Sequence, residues 1–138
     1  GSAAFTAATA YVPSATQITN SLAADVLLNN AANYFTGPTV AQGSTGTWFA
    51  SGTVTFKDSA VGATFYCKLW DGTTVIASAA HVTSGAGIYG AIALSGYLAS
   101  PVSNIRISCR DVTAATGSIF FNATGNSKDA SLTAFRVQ

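Results

Sequence analysis

Apolar side chains recur at every second position through most of this chain, a period that suits strands and leaves little room for helices. Over 48–57, Trp48, Ala50, Gly52, Val54 and Phe56 share one face, while Phe49, Ser51, Thr53, Thr55 and Lys57 share the other. Over 63–70, Ala63, Phe65, Cys67 and Leu69 alternate with Thr64, Tyr66, Lys68 and Trp70. Ile105, Ile107 and Cys109 oppose Asn104, Arg106, Ser108 and Arg110 in the same way. The pattern predicts strands at 48–57, 63–70, 73–80, 88–95, 104–110, 118–123 and 131–137. Shorter ones are expected at 16–19, 25–29, 33–35 and 39–41. Asp71-Gly72 suits a two-residue type I′ turn, so Trp70-Asp71-Gly72-Thr73 is read as a tight hairpin. Glycine and proline breakers recur between the runs, notably at Gly37-Pro38, Gly43, Gly85, Gly96, Pro101 and Gly117. Many short strands with turns at such spacing indicate an all-β sandwich or closed barrel.

Composition narrows the function classes. Ala (26), Thr (18), Ser (15) and Gly (13) fill more than half of the 138 positions, and charged residues are only 8%. Six cations and five acids, all Asp, are dispersed along the chain for a net charge of +1. A nucleic-acid surface needs a concentrated basic stripe, so no nucleic-acid partner is expected. No run reaches the roughly 18 apolar residues of a membrane helix, so no membrane insertion is expected either. Gly1-Ser2 reads as a tag remnant, residues 1–10 as an Ala/Thr-rich lead-in, and 11–138 as one domain. Solubility resting on hydroxyls and amides suits an extracellular life.

The candidates for chemistry are few. Cys67 and Cys109 stand alone, without a CxxC or Cys/His cluster, so neither zinc nor thioredoxin-type chemistry is supported. Two readings stay open: buried inert thiols, which is preferred, or a disulfide joining two strands. Asp25, Asp58, Asp71, Asp111 and Asp129 are the entire acid supply. Glycoside hydrolysis needs two carboxyls flanking one bond. Asp71 is explained by a turn, and Asp58 and Asp129 read as loop residues beside Lys57 and Lys128. His81, the lone histidine, has no Gly-x-Ser-x-Gly elbow to serve and no second ligand for zinc. Gly85-Ala86-Gly87 lacks the lysine and following helix of a phosphate loop, and Asn122-Ala123-Thr124 is a bare glycosylation sequon. No enzyme, cofactor or metal site is expected.

Aromatic rings beside hydrogen-bonding groups remain. Rings stack on the apolar faces of sugars while amides, carboxylates and Arg read hydroxyls. On that basis Trp70, Asp71, Tyr89, Tyr97, Asn104, Arg106 and Arg110 are the candidate ligand-binding residues. Several strands are apolar on both faces, with Tyr66 and Trp70 opposing Phe65 and Leu69, and Ile119 and Phe121 opposing Phe120. A two-layer sandwich buries one face of each sheet, so the surplus calls for association. Tyr66 and Phe121 are the expected interface residues.

A family resemblance rests on five runs: Asp25-Val26-Leu27-Leu28-Asn29, Tyr34-Phe35-Thr36-Gly37-Pro38-Thr39-Val40, Gly46-Thr47-Trp48-Phe49-Ala50-Ser51-Gly52-Thr53-Val54-Thr55, Leu69-Trp70-Asp71-Gly72-Thr73-Thr74-Val75-Ile76-Ala77 and Leu132-Thr133-Ala134-Phe135-Arg136-Val137. Together they resemble the C-terminal domains of bacteriophage tail-fibre and other virion-surface proteins. That likeness implies an antiparallel β-sandwich of jelly-roll type, C1q/TNF-like. It further implies a homotrimer at the virion surface that meets a bacterial surface polysaccharide or protein, with avidity from three weak sites. Two other functions are open: a monomeric carbohydrate-binding module of a secreted bacterial enzyme, and a purely structural virion decoration or cap.

Overall fold

Alternating burial along the strands of the described residues sets the architecture. The computed structural model describes residues 16–138, so the expected lead-in at 1–10 and positions 11–15 lie outside the described residues. In chain order the strands are β1 (Gln17–Ser21), β2 (Val26–Leu28), β3 (Phe35–Val40), β4 (Thr47–Asp58), β5 (Thr64–Trp70), β6 (Val75–Val82), β7 (Gly90–Ala99), β8 (Ile105–Asp111), β9 (Gly117–Phe120) and β10 (Ser131–Arg136). Among the described residues no helix is long and apolar enough to cross a membrane.

The strands form two antiparallel sheets. The small sheet has the order β3-β8-β5-β6. The large sheet runs β1-β10-β4-β9-β2, with β7 also paired to β4. β4 organises it because its twelve residues exceed the reach of one neighbour. Its N-terminal part pairs with β10, its C-terminal part with β9, and the opposite edge carries β7 along ten positions. Neighbours far apart in sequence, such as β4 with β10 and β5 with β8, are the crossings of a jelly roll. The fold class expected from the alternation is the one observed.

The core lies between the sheets, where each inward set meets the other. Phe56 of β4 and Phe65 of β5 pack with ring centroids 4.3 Å apart. Val54, Leu69, Ile105, Ile107, Ile119 and Leu132 close around them, all essentially inaccessible. Gly52 interrupts the inward row of β4 for a steric reason. A Cβ there would stand 2.5 Å from the Ser131 carbonyl oxygen and 2.9 Å from Ile107 Cδ1, so the small sheet's isoleucine fills the glycine's space. Gly52→Ala is therefore expected to destabilise the domain by about 1–3 kcal/mol through overpacking, read as a lower melting temperature. An unchanged melting temperature would show that the sheets separate freely.

Several sequence expectations need correction. Gly37-Pro38 does not separate two short strands. Both residues lie within β3, the edge of the small sheet, where the register shifts between Thr36 and Thr39. An edge bulge is where a strand tolerates proline. Residue 33 belongs to the turn before β3, its amide donating to the Asn30 carbonyl oxygen at 3.2 Å. Gly96 does not end β7, which continues to Ala99 because β4 offers pairing that far. The Asp71-Gly72 turn is not the two-residue type. Trp70 pairs with Val75, leaving four residues in the loop, and Gly72 alone takes a positive φ (91°) there. Asp71 sets this wider turn, its Oδ1 accepting from the amides of Thr73 at 2.9 Å and Thr74 at 2.6 Å.

The cysteines are joined. Cys67 and Cys109 form a disulfide with their Cα atoms 4.1 Å apart, against the preferred reading of two free thiols. Strand alternation placed both on inward faces, and the pairing of β5 with β8 then sets them directly opposite each other.

Candidate functional site

The disposition of the five carboxylates decides what the cations face. Asp25 Oδ1 accepts the Phe121 amide at 3.1 Å. Asp71 Oδ2 takes the Val102 amide at 2.8 Å, in addition to the two bonds within its own turn. Asp129 accepts the Thr124 amide at 2.7 Å and the Thr124 hydroxyl at 2.6 Å. Asp58 accepts from Ala60 N, Val61 N and the Thr116 hydroxyl, and Asp111 from Thr113 N and Ala114 N. Every acid is thus engaged by loop backbone, and none of these bonds comes from Lys or Arg. Of Asp58 and Asp129, expected as loop residues, Asp58 instead closes β4, and both are buried together with Asp71 and Asp111. Burial without such bonds would carry a prohibitive desolvation cost, which explains the pattern.

Asp58 and Asp111 are also neighbours. Burial pushes the Asp111 carboxyl above its ordinary value, and hydrogen bonding to Asp58 pushes it the same way. Burial pushes Asp58 up too, but hydrogen bonds from Asp111, Ala60, Thr116 and Val61 outweigh it and hold Asp58 below its ordinary value. The two carboxyls are thus pushed in opposite directions, Asp111 upward and Asp58 downward. Both residues are fully buried, so no groove separates them for a substrate.

With the acids committed elsewhere, the outer face of the small sheet is left basic and aromatic. The register puts Tyr66 opposite Arg110, Lys68 opposite Ser108, and Trp70 opposite Arg106 on that face. Lys68 Nζ lies 3.6 Å from the centroid of the Trp70 ring and 4.1 Å from that of Tyr34, a cation held between two rings. Trp70 Nε1 donates to the Ser108 hydroxyl at 2.9 Å, which fixes the indole. Arg106 donates from Nη2 to the Asp71 carbonyl oxygen and to the Ser103 hydroxyl, each at 3.1 Å. Arg110 Nε donates to the Ala31 carbonyl oxygen at 2.6 Å. Beside these cations a recess of about 260 Å³ is lined by Tyr34, Tyr66, Ser78, Ala79 and Ala80 above the disulfide.

The outer face of the large sheet is different in kind. One end carries Phe49 between Tyr97 and Phe135, with ring centroids 4.9 and 5.4 Å away. The other end carries Tyr89 against Phe120 at 5.5 Å, with Lys57 Nζ 4.5 Å from the Tyr89 centroid. Between them lie rows of small side chains: Thr19, Thr133, Ser51 and Ser95, then Ser21, Ser131, Thr53 and Ala93. No charged residue stands in those rows.

The candidates from sequence are thus divided among three places. Trp70, Arg106 and Arg110 meet on the small sheet, and exposed Asn104 adjoins them through its carbonyl oxygen, 3.1 Å from Arg106 Nε. Tyr89 and Tyr97 sit at opposite ends of the large sheet. Asp71 lies beneath the turn with its carboxylate occupied, so its type is explained by the loop and not by a ligand. Tyr66 and Phe121, expected to share an interface, are apart: Tyr66 is on β5 of the small sheet, and Phe121 follows β9 outside any strand. β9 ends at Phe120, and Phe120, not Phe121, faces outward beside Tyr89. Half-buried His81 packs edge-on against the core ring of Phe56, at 5.6 Å. Sequence reasoning singled out neither Lys68 nor Tyr34, although Lys68 alternates with Tyr66 and Trp70 along β5.

No family model matches the chain, and no curated protein matches it. Among solved structures it is similar to the Eiger TNF from S. frugiperda, with a TM-score of 0.53 over 91% of this chain and 94% of that one. The chain has a TNF-like jelly-roll fold. At 9% identity the likeness concerns the fold. A second similarity, at a TM-score of 0.48 and 12% identity over 91% of this chain and 93% of the other, is to a structure described as Bacillus endospore appendages that form a novel family of disulfide-linked pili.

Proposed function

We propose that this chain is a non-enzymatic, surface-displayed domain that associates as a homotrimer and binds a bacterial surface glycan, as the tip of a phage fibre or spike. The observation that carries the reading is the contrast between its two outer sheet faces. The large sheet offers flat, uncharged rows of Ser, Thr and Ala between two aromatic clusters, a surface suited to close contact with identical copies. Tyr97, 65% exposed, is poorly accommodated by water alone and gains most from such cover. The small sheet, basic and aromatic, then points away from the other copies and remains free. The disulfide supports a location at the virion surface, because such bonds persist in oxidising surroundings. The engagement of every carboxylate by loop backbone supports a binding role over hydrolysis.

Sedimentation of the full chain tests the assembly. The expected mass is three times that of one chain, and Ser51→Arg with Ser95→Arg is expected to give monomers by placing buried like charges in the contact. A wild-type chain that remains monomeric at micromolar concentration favours the carbohydrate-binding module of a secreted enzyme. A trimer that adsorbs to no bacterial surface favours the structural cap.

A further inference from the structure

The small sheet's outer face holds three of the chain's six cations, Lys68, Arg106 and Arg110. Their fixed partners are neutral: two aromatic rings for Lys68, and carbonyl or hydroxyl oxygens for the arginines. All five carboxylates accept from backbone amides; Asp71, next to Trp70, meets Arg106 through its carbonyl oxygen, and no carboxyl oxygen accepts from Lys68, Arg106 or Arg110. An ammonium held between rings is well placed to receive an anion, and Arg106, bonded through Nε and Nη2, and Arg110, bonded through Nε, keep further donors for a carboxylate. Tyr66, 41% exposed, provides a ring beside the three charges. The neighbouring recess of about 260 Å³ is below the usual range of drug-sized pockets, which suits one sugar ring of a longer strand.

We infer that this face binds an anionic polysaccharide lying along β8, with acidic substituents of successive sugars against Arg106, Lys68 and Arg110 in that order and a sugar ring on Tyr66 over the recess. The inference deepens the proposed function and rests on its glycan-binding reading. The cations select by charge, since a neutral glycan leaves them without a counter-charge once water is displaced. The tyrosines select for a ring with an apolar face. Neither the large sheet nor Lys57 takes part.

Affinity electrophoresis of the full chain through gels containing polygalacturonate, alginate or dextran tests this, beside adsorption to whole bacteria. Retardation by a uronate polymer is expected to be at least about tenfold stronger than by dextran and to weaken as salt screens the charges. Lys68→Met, which keeps the stem packed on Trp70, and Arg110→Gln are each expected to weaken it by about tenfold or more at an unchanged melting temperature, and Lys57→Met to leave it intact. Equal retardation by dextran, or uronate binding that survives Lys68→Met combined with Arg110→Gln, overturns the inference. Binding to cells or to dextran without binding to uronates overturns it while leaving the glycan-binding reading in place. Absence of binding to any saccharide or cell removes both. A single-stranded oligonucleotide bound as tightly as the uronates shows a general polyanion surface and overturns the saccharide assignment.

Discussion

Replacing Cys67 and Cys109 together by alanine is expected to lower the melting temperature by about 15 °C. The two residues lie 42 positions apart, and in the unfolded chain their bond closes a loop of that length. Loop-closure entropy for such a span is worth about 4 kcal/mol on the chain-entropy model. For a domain of this size each kilocalorie moves the midpoint by about 4 °C. The bond joins β5 and β8, the two central strands of the small sheet, where ladder hydrogen bonds already hold the backbones together. The native state is therefore expected to keep its sheet when the sulfurs are lost, with the effect falling on the unfolded ensemble. Both residues are buried, so reductant alone should act slowly on the folded protein and quickly once denaturant is present. Thermal melts of the variant and of protein refolded under reductant check this. A midpoint within a few degrees of the oxidised wild type would show that the bridge adds nothing the ladder lacks.

The sandwich was legible because its cause is local. Each inward row of β4, β5 and β8 can be read at alternate positions, and burial is what those positions record. Pairing is not local. Cys67 and Cys109 each read as inward, but only the β5–β8 register makes them partners, so the sequence left two readings open. The same limit governs the candidate site. Trp70, Arg106 and Arg110 were found as residue types, yet that they share a face with Lys68 follows from strand neighbours separated by more than thirty positions. Tyr89 and Tyr97, equally plausible as types, were carried to the other sheet by β7 pairing with β4. The acids misled for a different reason. A carboxylate in a loop or at a strand end ordinarily faces water, whereas Asp58, Asp71 and Asp129 turn inward to serve amides that the adjoining loops would otherwise bury unpaired. With so few charges in the chain, those turns left no acid to neutralise the small sheet.

The largest single-residue loss among the acids is expected at Asp111, with Asp111→Ala destabilised by about 3 kcal/mol. Alanine leaves the amides of Thr113 and Ala114 without their acceptor and removes the neighbour whose hydrogen bonding helps hold Asp58 below its ordinary value. Asp111→Asn separates these causes. Its amide oxygen still receives the two backbone bonds, and its NH2 offers Asp58 a donor that does not titrate. In the wild type the Asp111 carboxyl has a folded pKa above its unfolded value. Its stabilising contribution is therefore complete below the unfolded value and is lost as pH rises through the folded one, when two buried negative charges begin to face each other. Asp58, Asp71 and Asp129 have the opposite sign, each held below its ordinary value. For Asp71, burial pushes upward and the amides of Val102, Thr74 and Thr73 outweigh it; for Asp129, the Thr124 hydroxyl and amide lead. Their contributions are complete above the unfolded value and vanish as pH falls through the folded ones. Wild type and Asp111→Asn should thus lose stability together on acidification, and diverge above the ordinary carboxylate range, where the asparagine variant becomes the more stable. Denaturant unfolding at intervals from about pH 3 to pH 9 measures both limbs. Parallel curves over the whole range would mean that Asp111 ionises freely beside Asp58.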